Sequence, residues 1–159
     1  MYRLMSAVLG LCLLAPSAMA QGLGGQNQQP NQWAANCNMA QGRDCTVSAM
    51  IDGNSLLGTF VIVSYSVTYT TLTVVVDGVG QRASIQVDQW PFISTSICTG
   101  GQCSYEQSRS AELLQEFLRG SNMTVQVSLQ GDNMAGPLQM SLAGFAAQYQ
   151  KALQAQRGR

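Results

Sequence analysis

The stretch LLGTFVIVSYSVTYTTLTVVV, residues 56 to 76, decides the fold. It is dense in β-branched and aromatic residues, which suit a pleated and half-buried surface, and it is long for a single strand, so it breaks once into two. Period-two geometry sets Val61, Val63, Tyr65 and Val67 on one face. Phe60 and Ile62 lie on the other and give way to Ser64 and Ser66. One face is therefore buried throughout and the second only in part.

Upstream, CTVSAMI from Cys45 reads as a strand, closed by the turn signal Asp52-Gly53-Asn54. Downstream, Asp77-Gly78 turns the chain into ASIQVDQW, where Ile85 and Val87 alternate with Gln86 and Asp88 as in a half-exposed strand. Pro91 then interrupts the ladder or marks an edge. SAELLQEFLRG predicts a helix with Ser110 as N-cap, Glu112 in the first turn, Arg119 in the last and Gly120 as terminator. Its apolar stripe is Leu113, Leu114, Phe117 and Leu118. NMTVQVSLQ alternates Met123, Val125, Val127 and Leu129 with polar partners. After a turn at Gly131-Asp132-Asn133, LQMSL alternates Leu138, Met140 and Leu142, which makes a hairpin with one buried face. Asn122-Met123-Thr124 fits the glycosylation acceptor pattern, a three-residue match that chance produces readily. Many short strands, turn signals and one or two helices together predict an all-β sandwich.

Residues 1 to 20, MYRLMSAVLGLCLLAPSAMA, carry Arg3, an apolar run from Ala7 to Ala15 and the small-x-small ending Ala18-Met19-Ala20. That pattern predicts a secretory signal peptide cut before Gln21. The run is shorter than the ~20 apolar residues of a spanning helix, so no integral membrane span is expected. Cys12 follows Leu11 rather than a small residue and reads as part of the apolar run, not as a lipidation site. Residues 21–32 are a Gln/Gly-rich flexible leader, and 33–159 form one domain. Cleavage removes one of the eight basic residues and none of the eight acidic ones, which leaves a net charge of −1. With no basic block, a nucleic-acid partner is not expected. Lys151, Arg157 and Arg159 read as a solvated tail.

Export leaves Cys37, Cys45, Cys98 and Cys103 in a compartment that favours oxidation, so the default reading is a structural disulfide framework. A zinc site is disfavoured by the absence of histidine and by the cysteine spacing. A dithiol redox site would place C-x-x-C at a helix start, whereas Cys98 and Cys103 have four residues between them. Four cysteines permit three connectivities. The turn-bearing loops CTGGQC and CNMAQGRDC favour Cys98 with Cys103 and Cys37 with Cys45, each worth ~2–3 kcal/mol, without excluding the others.

Chemistry has little to work with. Histidine, the commonest proton carrier, is missing. Asp52, Asp77 and Asp132 occupy turn signals, Glu112 and Glu116 fall on the polar side of the helix, and no serine sits in a nucleophile elbow. No catalytic, metal or cofactor-binding residue is assigned, and no cofactor is expected.

The tail MSLAGFAAQYQKAL places Ser141, Leu142, Gly144 and Phe145 ahead of Ala146 and Ala147. It resembles the ending of the invasion-associated locus B (IalB) family of exported bacterial proteins, which close with a serine-leucine-x-glycine-phenylalanine segment and a short alanine-rich helix. Other landmarks follow in the family's order. Trp33 precedes Cys37 and Cys45; Gly78-Val79 and Val87-Asp88 precede Cys98 and Gly101-Gln102-Cys103; a leucine-rich helix ends at Arg119-Gly120. The resemblance spans Trp33 to Leu153. It departs at Gln102, where glycine usually precedes the cysteine, and at Gln148, where alanine is more frequent.

The resemblance implies an immunoglobulin-like β-sandwich in the periplasm or at the cell envelope, linked in some members to host-cell invasion and without an established enzymatic activity. In the terminal helix Phe145, Tyr149 and Leu153 recur every four residues beside Ala152. Ser141 at the helix entry, the small Gly144 and the apolar Phe145 are the residues expected to dock it on the sheet. The expected function is non-enzymatic, through surface interaction with an unknown protein partner at the envelope or host surface. An accessory folding or stability factor of the periplasm is the alternative, and an uncharacterised hydrolase the third.

Overall fold

The computed structural model describes residues 31–38, 44–52, 60–95, 97–130 and 134–158. The expected signal peptide with Cys12, the expected leader up to residue 30 and the turn signals at Gly53-Asn54 and Gly131-Asp132-Asn133 lie outside these residues. Among the described residues the chain forms ten strands and two helices.

The long apolar run folds as anticipated, into β3 (Phe60–Ser66) and β4 (Thr71–Val76). With β2 (Asp44–Asp52) they form an antiparallel meander. Its inward residues line up across all three strands. Tyr65 stands between Val47 and Leu72, Val63 between Ala49 and Val74, and Val61 between Ile51 and Val76. Every member of these three rows is buried. Such cross-strand rows also fix the register, because a one-residue slip would turn each apolar side chain to the wrong face. β1 (Ala34–Asn38) adds beside β2, while β7 (Ile97–Thr99) and β8 (Gln102–Ser104) form a hairpin whose β8 pairs with β4.

The second sheet contains β5 (Gly80–Val87), β6 (Ile93–Ser94), β9 (Asn122–Leu129) and β10 (Met134–Ser141), in the order β10-β9-β5-β6. Ala83, Ile85 and Val87 face Val127, Val125 and Met123, and all six are buried. Pro137 lies at a register shift in β10, an edge strand, where its missing amide breaks no inner ladder. The apolar faces of the two sheets share one core, so the architecture is an all-β sandwich with two short helices.

Both disulfides are rungs of a ladder. Cys37 bonds Cys45 across β1 and β2, and Cys98 bonds Cys103 across β7 and β8, each joining directly opposite residues. The Cα separations, 4.1 and 4.0 Å, are those of narrow antiparallel pairs.

α1 (Gln107–Arg119) buries Leu113, Leu114 and Phe117, and α2 (Phe145–Arg157) packs on β1 and β2. The helices meet through rings. Phe145 lies 4.9 Å from Trp33 and 5.2 Å from Phe117, both edge-on, geometry that adds ~0.5–1.5 kcal/mol per pair to the burial itself. The Trp33 indole Nε1 donates to the Ser141 carbonyl at 3.0 Å, so this buried ring has its polar atom satisfied.

The expected start of α1 is corrected. The helix begins at Gln107, with Glu106 at the cap position and no acidic residue in its first turn. Ser110 is already inside, its amide donating to the Glu106 carbonyl, and it is buried. Its Oγ accepts the Leu72 amide at 3.0 Å and donates to the Tyr105 carbonyl at 3.3 Å. The sheet therefore takes the hydroxyl that a cap would have used. At α2, Ser141 ends β10 and its Oγ accepts the Ala143 amide, serving the turn ahead of the helix. Gly144 holds the cap position at φ 90°, a conformation that a side chain would strain.

Candidate binding surface

Between β6 and α1 lies a cleft of about 430 Å³, lined by Trp90, Pro91, Phe92 and Ile93 on one side and Arg109, Glu112 and Glu116 on the other. Trp90 is 60% exposed and Phe92 41%, while Ala83, Ile85 and Val87 of β5 point inward. Trp90 is out of phase with Ala83, Ile85 and Val87 and so leaves the core. Arg109, Glu112 and Glu116 recur at three and four residues along α1 and form the flank that borders the buried Leu113.

The aromatic wall is held by its backbone. Asp88, at φ 48°, accepts the amides of Ser121 at 3.0 Å and Asn122 at 2.9 Å through its carboxylate, and its own amide donates to the Asn122 carbonyl. The Trp90 amide donates to the Val87 carbonyl, and Gln86 Nε2 donates to the Trp90 carbonyl at 2.8 Å. On the far side of Pro91, the Tyr105 hydroxyl donates to the Ile93 carbonyl at 3.1 Å. Burial pushes the Tyr105 hydroxyl well above the ordinary tyrosine range, which extends into alkali the pH range over which it donates. Two large rings thus stand in solvent on a fixed loop. On the opposite wall Arg109 and Glu112 form an ion pair at 2.8 Å.

Other hollows are less suited to recognition. One of about 450 Å³ lies between the end of α1 and the entry of α2, and another of about 310 Å³ lies beside Pro137; neither has an exposed aromatic side chain on its wall.

Of the residues singled out from the sequence, Ser141 reaches Trp33 through its carbonyl, and Phe145 is wholly buried between Trp33 and Phe117. The cysteines lie at the β1–β2 and β7–β8 ladders, away from the cleft lining. Asp52 ends β2, and Asp132 lies outside the described residues. Sequence reasoning missed Trp90, Phe92 and the cleft side of α1. The available signal was a tryptophan and a phenylalanine flanking Pro91, just beyond a strand whose inward phase was already filled.

A family model described as invasion associated locus B (IalB) protein matches residues 28–153. Comparison with curated proteins and with solved structures finds no match.

Proposed function

The chain belongs to the invasion-associated locus B family, and on that premise we propose that it is an exported envelope protein that works by binding through the Trp90–Phe92 cleft rather than by catalysis. In this reading residues 1–20 direct export, 21–32 are a leader, and 33–159 act as one module in the periplasm or at the cell surface. Its partner is a protein of the envelope or of a host surface.

The observation that carries the reading is the rigid display of Trp90 and Phe92. A single exposed ring is ordinary, but Trp90 and Phe92 line one cleft together, and a contiguous apolar patch of this kind marks a binding surface on which aromatic residues dominate the energy once a partner covers them. A pre-fixed loop also reduces the ordering that binding would otherwise require. The two disulfides agree with an oxidising compartment. The carboxylates of the cleft favour recognition over proton transfer. Glu112 is exposed and already paired with Arg109, an arrangement suited to holding a charged partner.

The test combines fractionation with complementation of a deletion strain. The expected result is a protein with N-terminus Gln21 in the envelope or periplasmic fraction. A variant carrying Trp90→Ser and Phe92→Ser should keep the abundance and melting temperature of the wild type yet fail to restore the deletion phenotype. Recovery in the cytoplasm, or full complementation by the double variant, would reject the proposal. A changed abundance of many envelope proteins in the deletion strain, restored equally by wild type and double variant, would favour the accessory-factor alternative.

A further inference from the structure

We infer that the open edge of β6 and the facing side of α1 form a docking groove for an extended basic segment of a partner polypeptide, added as a strand beside Ser94 with a lysine or arginine between Trp90 and Glu116. This rests on the reading of the cleft as the binding surface and names what the cleft takes.

Backbone direction supplies the first support. β6 is the last strand of its sheet. The Thr95 amide donates to the Ala83 carbonyl at 2.7 Å, so Thr95 and, two residues back, Ile93 point toward β5. Alternation then turns the amide and carbonyl of Ser94 outward, into the cleft that Ser94 lines. Two other edges are blunted. α2 covers β1, where Gln148 Oε1 accepts the Ala35 amide at 3.3 Å, and β10 carries the register shift around Pro137. β7 ends the other sheet and β6 is only two residues long, but it is the β6 edge whose outward amide and carbonyl, those of Ser94, lie in the cleft, where another chain can pair in a recurrent mode of peptide recognition in which main-chain bonds give affinity and alternate side chains give choice.

Charge supplies the second. Arg109 and Glu112 satisfy one another, and Glu116 gives the cleft a net charge of −1. A carboxylate facing an exposed indole is the environment a cationic side chain selects, through ion pairing and through the face of the ring. An acidic segment would instead face Glu112 and Glu116 together.

The test uses three blocked heptapeptides: threonine alternating with lysine, threonine alternating with glutamate, and the lysine peptide with its inward amides N-methylated. Trp33 is buried and Trp90 exposed, so a blue shift in emission reports on Trp90, and amide exchange by NMR reports on Ser94. The lysine peptide should shift Trp90 emission and slow exchange at Ser94. The glutamate and N-methyl peptides should bind at least ten-fold more weakly, and Glu116→Lys should reverse the preference for lysine over glutamate. Trp90→Ser should abolish binding with the melting temperature unchanged. Equal binding of the lysine and glutamate peptides, an N-methyl peptide that binds as well as its parent, an inert Glu116→Lys, or no binding by any peptide would each overturn the inference. If chitohexaose shifts Trp90 emission where the peptides do not, the cleft is a saccharide site; this inference then fails while the binding reading stands. That broader reading fails separately, if the Trp90/Phe92 double variant complements the deletion strain.

Discussion

Asp88 and Asn122 exchange hydrogen bonds in both directions: the Asp88 amide donates to the Asn122 carbonyl at 2.9 Å, and the Asn122 amide donates back to Asp88 Oδ1 at 2.9 Å. This clasp joins the end of β5 to the start of β9 across the turn that follows α1. It accounts physically for two family landmarks, Val87-Asp88 and Arg119-Gly120, which the fold brings into contact. A Cβ at Gly120 would strike the Val87 side chain and the Glu116 carbonyl. The same clasp fixes the first residue of the loop that carries Trp90.

Asp88→Ala should therefore lose about 1–2 kcal/mol, the range for removing a charged acceptor that serves backbone amides near the surface. Asp88→Asn keeps an acceptor and tolerates the left-handed backbone, so it should lose less. Urea midpoints of the three proteins check the order. Equal midpoints for alanine and wild type would show that water replaces the clasp without penalty.

The second prediction concerns Ser110. Its hydroxyl serves the Leu72 amide and the Tyr105 carbonyl in the core, so Ser110→Ala leaves two buried backbone groups unmatched. The expected loss is about 1–3 kcal/mol. A cap residue on the surface would instead be rescued by Ser110→Asp. Inside the core aspartate adds a buried charge and should be worse than alanine, and thermal denaturation of both variants separates the two roles.

Much of the architecture was legible because β2 to β5, β9 and β10 carry their inward residues at period two, and Leu113, Leu114 and Phe117 mark α1. β1, β6, β7 and β8 were not. AANCN has no apolar alternation, and the other three are two or three residues long, so pairing with a neighbour makes them strands. Ser110 misled because a serine before an apolar helical run is the usual N-cap pattern, and only the three-dimensional approach of Leu72 shows where its hydroxyl goes. The cleft was hidden for a similar reason. Arg109, Glu112 and Glu116 look like any solvated helix face until β6 is placed opposite them.

Stability should also fall in alkali. Burial pushes the Tyr65 hydroxyl up to about 12, Tyr149 adding to the rise, and burial raises Tyr105 too, partly offset by a hydrogen bond from the Ile85 backbone. An unfolded tyrosine titrates near ~10. Between these values the unfolded chain has released protons that the native chain still holds, so unfolding becomes more favourable as pH rises. The contribution is fully present below pH ~10 and is lost as pH climbs through the folded value. Denaturant midpoints at increasing alkaline pH, with Tyr65→Phe as the control of reduced slope, measure it. A midpoint unchanged well above the unfolded tyrosine value would contradict the burial of these hydroxyls.

Phe145 separates packing from recognition at the residue most central to the family's closing segment. Its side chain is 0% exposed, with Trp33, Phe117 and Tyr149 around it at ring separations of 4.9, 5.2 and 6.1 Å. Those three come from the segment before β1, from α1 and from α2, so one ring holds three parts of the fold together. Removing it should therefore open a cavity rather than a surface notch. Phe145→Ala is expected to lose about 3–5 kcal/mol. Phe145→Leu, which refills most of the space but loses the edge-on ring contacts, should lose distinctly less. A surface role would give the opposite pattern, with both variants as stable as wild type and a partner no longer engaged. Chemical denaturation decides between them: an alanine variant within ~1 kcal/mol of wild type would remove Phe145 from the core and make α2, not the Trp90 cleft, the first surface to probe.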